Sequence, residues 1–148
     1  MTLKTRIQEE MKAAMRARES ARLSTIRLLL AAIKQKEVDE RVEVSDPDIV
    51  AIIERMIKQR RESIAQFDAG GRPDLSASER AEIEILQTYM PQQLSETEVE
   101  AMIESALSEV GGPGAARIGA VMAALKPKLA GRTDMAQVAA KVRARLAR

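Results

Sequence analysis

Residues 45–71 read SDPDIVAIIERMIKQRRESIAQFDAGG and contain every signal needed for one long α-helix. Ser45 is a preferred N-cap residue, Pro47 fits the first turn, and Asp48 favours the positive end of the helix dipole. Gly70-Gly71 tolerates the left-handed conformation in which helices often end. Apolar residues recur every three or four positions between these signals, at Ile49, Ile52, Ile53, Met56, Ile57, Ile64 and Phe67. The stretch therefore predicts a helix with one buried face.

The same periodicity runs through the rest of the chain, and no stretch alternates with the two-residue period of a strand. We therefore predict an all-α fold. Four helices are expected in the first part, at about residues 3–18, 20–40, 45–69 and 76–90, with Ser20 and Ser76 as caps of the second and fourth. Three are expected in the second part: one opened by the capping box at Ser95, one ended by Pro127, and one beginning near Asp134.

The clearest domain boundary lies between the fourth and fifth helices. Pro91 stops one helix and Ser95-Glu96-Thr97-Glu98 starts the next. We predict an N-terminal helical domain over residues 1–91 and a C-terminal three-helix domain over residues 95–148.

Composition removes much of the usual catalytic chemistry. The chain of 148 residues has no histidine, cysteine or tryptophan, and its only aromatic residues are Phe67 and Tyr89. A general base, a thiol nucleophile and the soft metal ligands are therefore missing. No apolar run approaches the length of a membrane span, so no membrane partner is expected. The N-terminus lacks leader features, which makes the cytoplasm the default prediction.

Motifs for chemistry are also missing. No Ser-x-x-Lys, Gly-x-Ser-x-Gly or phosphate-binding glycine loop occurs. Of the acidic residues Glu79, Glu82 and Glu84, the first two share a helix face and the third points elsewhere, so an ion-paired surface is favoured over a Mg²⁺ site. We predict no catalytic residue, no metal site and no cofactor.

Basic residues form two candidate clusters. In the first, Arg27, Lys34 and Arg60 fall in phase with apolar stripes, beside Lys58 and Arg61. They are consistent either with a partly buried ion-pair network across a helix seam or with an anion site.

The second cluster lies around the last two helices, at Arg117, Lys126, Lys128, Arg132 and Lys141. Lys126-Pro127-Lys128 and Gly131-Arg132 predict a basic loop beside a helix start, which favours phosphate contact. Cations near a helix C-terminus also simply complement the helix dipole. With almost no aromatic residues for base stacking, any RNA contact is expected to follow backbone and shape.

Four segments resemble the YqeY-like proteins of the GatB/YqeY family. They are Arg27-Leu28-Leu29-Leu30-Ala31-Ala32-Ile33-Lys34, Ile57-Lys58-Gln59-Arg60-Arg61-Glu62-Ser63-Ile64, Gly71-Arg72-Pro73-Asp74-Leu75 and Tyr89-Met90-Pro91. From about Ser95 the chain is similar to the tail domain of the B subunit of the glutamine-dependent aspartyl/glutamyl-tRNA amidotransferase, which helps to hold tRNA. The resemblance implies a GatB/YqeY-type three-helix tail and a label of carbon–nitrogen ligase activity with glutamine as amido-N-donor.

One departure concerns the family tail's Gly-Lys-Val-Met-Gly, which here reads Gly119-Ala120-Val121-Met122-Ala123 and lacks the lysine.

The sequence as a whole leads to three hypotheses about function. The first is a non-catalytic helical module that binds tRNA. The second is a component of, or assistant to, an amidotransferase or another translation-related protein. The third is a protein-interaction adaptor without nucleic acid.

Overall fold

The computed structural model describes residues 1–147, and this part of the chain is built entirely from helices and their connections. The prediction of an all-α fold is confirmed. The helices are α1 (Leu3–Arg16), α2 (Ser20–Glu40), α3 (Asp46–Ala69), α4 (Pro73–Gln87), α5 (Glu96–Glu109), α6 (Gly114–Leu129) and α7 (Met135–Leu146). No helix among residues 1–147 is long and apolar enough to cross a membrane.

The first four helices form one compact unit, Met1–Met90. Its core is aliphatic, and α3 packs more extensively against α4 than any other pair of helices in the unit. Tyr89 adds the one buried aromatic ring. The largest fully buried side chains of the unit are Ile7, Ile26, Leu29, Ile33, Ile49, Ile53 and Leu86.

The last three helices form a second compact unit, Pro91–Arg148, which is described to Ala147. Helix α6 packs against both α5 and α7. The core residues of this unit are Val99, Ile103, Ala106, Val121, Leu125, Leu129, Val138 and Val142. These are small aliphatic side chains, so the second core is packed without an aromatic ring.

The start and end signals of α3 act as the sequence predicts. The Ser45 backbone N–H donates to the Asp48 carboxylate at 2.9 Å, and the Asp48 N–H donates to the Ser45 hydroxyl at 3.3 Å. This reciprocal pair satisfies donors that the helix itself leaves free. After the helix, Gly71 has φ +70°, a conformation that side-chain-bearing residues rarely adopt.

Three local predictions are wrong. Helix α2 is preceded by Glu19 at its N-cap, and Ser20 is its first residue. Helix α4 begins at Pro73, so Ser76 lies inside the helix, where its hydroxyl donates to Asp68 at 2.5 Å instead of capping. Helix α6 continues through Pro127 to Leu129, because a proline near the end of a helix costs only one backbone hydrogen bond there.

Neighbouring leucines in α2 provide a test of the packing. Leu29 is 0% exposed and Leu28 is 50% exposed. We expect Leu29→Ala to lower the free energy of unfolding of the first unit by about 2–5 kcal/mol, because it leaves a cavity. The control Leu28→Ala should cost about 0.5 kcal/mol or less. Urea denaturation followed by Tyr89 fluorescence reports this unit, and equal losses in the two variants would contradict the placement of α2.

Candidate nucleic-acid interface

Lys126 and Lys128 lie in the last turn of α6 rather than in a loop. Both side chains are exposed, and neither takes part in an ion pair or side-chain hydrogen bond within residues 1–147. The predicted basic loop beside a helix start is therefore corrected to a pair of lysines at a helix end. Two residues apart on a helix, they project about 200° from each other and flank the buried Leu125 and Leu129.

Arg117 holds the end of the neighbouring helix. From the first half of α6 its guanidinium donates to the carbonyl oxygens of Leu107 and Val110, both at 3.0 Å. These carbonyls belong to the last turn of α5, where a helix leaves acceptors unsatisfied. The side chain is partly buried, and its donors are engaged in this capping contact. The structure therefore places Arg117 in a stabilising role.

Arg132 binds the segment that leads into the second unit. Its Nε donates to the Gln92 carbonyl at 3.1 Å, and its own carbonyl accepts from the Leu94 N–H at 2.9 Å. Gln93 adds a side-chain bond to the Gly131 carbonyl at 2.7 Å. Three hydrogen bonds thus fasten residues 92–94 to the loop between α6 and α7.

Lys141 has an acidic partner. Its ammonium lies 3.7 Å from the carboxylate of Glu96 at the start of α5. The Lys141 side chain is 31% exposed and that of Glu96 is 85% exposed. Since exposed ion pairs of this kind contribute little, Lys141 is available to exchange its partner for another anion.

The first basic cluster does not assemble into one site. Arg60 donates to Glu82 at 2.8 Å and to the Met56 carbonyl at 3.1 Å, so it forms a partly buried ion pair across the α3–α4 seam. The remaining four residues are exposed. Lys58 and Arg61 lie on the outer side of α3, and Arg27 and Lys34 lie on the outer side of α2. Arg60 therefore has the partly buried ion pair that one of the two interpretations of this cluster expects.

Sequence reasoning missed Arg143 and Arg145 on α7. Arg145 pairs with Glu104 of α5. Arg143 is exposed and lines an open hollow at the start of α6, together with Gly112, Gly114 and Arg117. The positions of these two arginines at the edge of α7 could have been predicted, because they are two residues apart and lie beside the buried Val142. The hollow could not have been predicted from the sequence, because it depends on the conformation of the glycine turn.

Several carboxylates in the first unit have depressed pKa values because they accept hydrogen bonds. A hydrogen bond from Lys4 lowers the pKa of Glu37, and the Ser76 hydroxyl, with Arg80, lowers that of Asp68. The Tyr89 hydroxyl is buried near the Glu10 carboxylate, and Arg6 lies over its ring at 5.1 Å. Burial and the negative charge of Glu10 raise the pKa of Tyr89. Glu37 and Asp68 are thus engaged in hydrogen bonds within the first unit.

Together these observations define a class: a two-unit helical protein with exposed cations as its candidate binding groups. The sequence profile of the family described as Yqey-like protein matches residues 4–146, and the chain belongs to this family. The resemblance recognised from the sequence is thereby confirmed.

Similar proteins include several called Altered inheritance of mitochondria protein 41. The protein of Lachancea thermotolerans is 37% identical over 109 residues, which is 70% of this chain and 57% of that protein. That of Eremothecium gossypii is 40% identical over 85 residues, 57% of this chain and 46% of that protein. That of Pyrenophora tritici-repentis is 31% identical over 126 residues, 82% of this chain and 70% of that protein. The chain thus spans about half the length of the first two relatives.

These relatives contradict the cytoplasmic location predicted from the sequence, because they are named as mitochondrial proteins. The prediction was wrong because it rested on the residues near one terminus.

The Asp68–Ser76 contact predicts a pH dependence. Because the pKa of Asp68 lies below its usual value of 3.8, its contribution to stability is present above that value and is lost as the pH falls through the folded-state pKa. We expect the urea unfolding midpoint of the first unit to decrease as the pH is lowered below about 4. This decrease should be less steep in Asp68→Asn. Glu100→Gln removes one acidic charge from the second unit and serves as control. Parallel slopes in Asp68→Asn and wild type would contradict the assignment.

The Arg117 contacts predict a local loss of stability. Arg117→Gln removes charge-assisted bonds to the end of α5 and should destabilise the second unit by about 1–3 kcal/mol. Amide hydrogen exchange should accelerate most in residues 104–112. Lys126→Gln removes the same charge from an exposed position and should leave this exchange unchanged. Equal exchange in both variants would contradict a capping role.

Proposed function

We propose that this chain is a tRNA-associated helical binding module in which Lys126 and Lys128 contact phosphates. The single observation that supports this most strongly is the contrast among the five predicted cations. Arg117 and Arg132 bind backbone carbonyls and Lys141 pairs with Glu96, whereas Lys126 and Lys128 are exposed and have no ion-pair partner within residues 1–147.

The position of the two lysines determines the kind of contact. The C-terminal end of α6 carries a partial negative charge, so the helix end itself does not attract phosphate. Attraction must come from the lysine ammonium groups, which reach outward on flexible chains. Because the two side chains point to opposite flanks of α6, they suit two separate phosphates rather than one. Such contacts give affinity without reading the base sequence.

In this proposal the chain binds and any amide-transfer chemistry belongs to a partner. Three serines at or near helix starts have structural bonds: Ser45 and Ser95 accept capping bonds and Ser76 donates to Asp68. An assisting role beside a glutamine-dependent amidotransferase is compatible with this, since it requires only binding. Release of ammonia from glutamine by the purified chain alone would contradict the proposal that amide-transfer chemistry belongs to a partner.

A salt series tests the phosphate contacts. We expect wild type to bind tRNA in filter assays, with an affinity that falls as salt rises because phosphate contacts release counterions. Lys126→Ala/Lys128→Ala should reduce the slope of log affinity against log salt by about 2, at about 0.9 per lost contact.

The control removes two exposed cations from the other unit. Lys58→Ala/Arg61→Ala makes the same change in net charge on α3 and should keep the wild-type slope. No binding at low salt would overturn the proposal, as would an equal loss of slope in both double variants. The second result would indicate attraction by overall charge rather than a site.

A further inference from the structure

Helix α2 is apolar on two opposite faces. Its inner face carries Ile26, Leu29 and Ile33 into the core of the first unit. Its outer face carries Leu28, which is 50% exposed, and Val38, which is 61% exposed. In the first unit only the inner face is covered.

The outer face has the spacing of a coiled-coil seam. Residues 28, 31, 35, 38 and 42 recur at alternating intervals of three and four, and they are Leu, Ala, Gln, Val and Val. All five are exposed. The four within α2 span about 15 Å. Gln35 donates to Asp39 at 2.9 Å, so its amide is satisfied within the helix. The small Ala31 leaves room for a neighbouring backbone to approach.

One flank of this seam is uniformly basic. Arg27, Lys34 and Arg41 each precede a seam residue by one position and follow one another at intervals of seven. All three are exposed, and none forms an ion pair within residues 1–147. By contrast, Lys36 on the inward side of α2 pairs with Glu40 and Asp48. Arg27 and Lys34, the two of these cations within α2, therefore lie beside the uncovered apolar residues, and Lys34 also acts electrostatically on Glu37.

The charges disfavour a second copy of this chain as the occupant. In an antiparallel pair of α2 helices this flank would face itself and bring like charges together. In a parallel pair each flanking residue faces the position five residues further along the other helix. Arg27 would then meet Ala32, and only Lys34 would meet an acid, Asp39. Neither arrangement neutralises the basic flank.

We propose that the outer face of α2 is a docking site for an amphipathic helix of a partner protein, with apolar residues in its seam and acidic residues along the facing flank. Leu28, Ala31 and Val38 pack against the apolar seam of that helix, and Arg27 and Lys34 pair with its carboxylates. A seam of this length suits a reversible contact. The site lies in the first unit and stands independently of the tRNA contacts proposed for Lys126 and Lys128.

Two synthetic peptides test the proposal with the full chain. Both are 21-residue helices with leucine at the seam positions, and they differ only in carrying glutamate or lysine at the flanking positions. Like charges keep each peptide from pairing with itself. In fluorescence anisotropy we expect the glutamate peptide to bind at least tenfold more tightly than the lysine peptide. Arg27→Glu/Lys34→Glu should reverse this preference, and Val38→Glu should abolish binding of both.

Lys58→Glu/Arg61→Glu makes the same change in charge on α3 and should leave peptide binding unchanged. Circular dichroism melts confirm that each variant folds, since all the substituted side chains are exposed. Equal affinity for the two peptides, or an equal loss in the α3 control, overturns the proposal. Two further results overturn it: a dimer in sedimentation that Val38→Glu dissociates, and tRNA binding that Arg27→Glu/Lys34→Glu abolishes while neither peptide binds.

Discussion

The packing of α3 against α4 is the contact on which the first unit depends. Polar contacts support it at different points along the helices, among them Arg60 with Glu82 in the middle of α4 and Ser76 with Asp68 near the connecting turn. Both are partly buried, so each partner would lack a hydrogen bond if the helices slid past one another. The aliphatic side chains supply the attraction, and these polar pairs select one register among several that would bury similar apolar area.

Arginine and lysine side chains have different roles in this structure because their charged groups differ chemically. Arg60, Arg117 and Arg132 each bind a backbone carbonyl, and their planar guanidinium groups offer several donors at fixed angles. Lys126 and Lys128 remain in solvent on flexible chains. Arg117 therefore stabilises a helix end, Arg132 stabilises a connection and Arg60 stabilises the α3–α4 seam, whereas Lys126 and Lys128 keep their ammonium groups exposed. A count of basic residues in the sequence does not separate these two roles.

The helices could be predicted because their signals are local. Apolar spacing, the Ser45 cap and the glycines after α3 act over a few residues, and the structure follows them closely. Ser76 shows the limit, since its hydroxyl serves Asp68, eight residues earlier. The same holds for the site. Whether a cation such as Arg117 is free depends on carbonyls seven and ten residues away, which the glycine turn between α5 and α6 brings within its reach. Spacing alone does not contain this information.

The attachment of residues 92–94 to the α6–α7 loop has a practical consequence for fragments of this protein. The second unit does not begin at its first helical residue, because Gln92, Gln93 and Leu94 already belong to its hydrogen-bonded structure. A fragment cut at Ser95 would expose the Gly131 carbonyl and free the Arg132 side chain, and so would present a guanidinium that the intact chain keeps engaged. A fragment expressed from Pro91 onward would keep the hydrogen bonds between residues 92–94 and the α6–α7 loop.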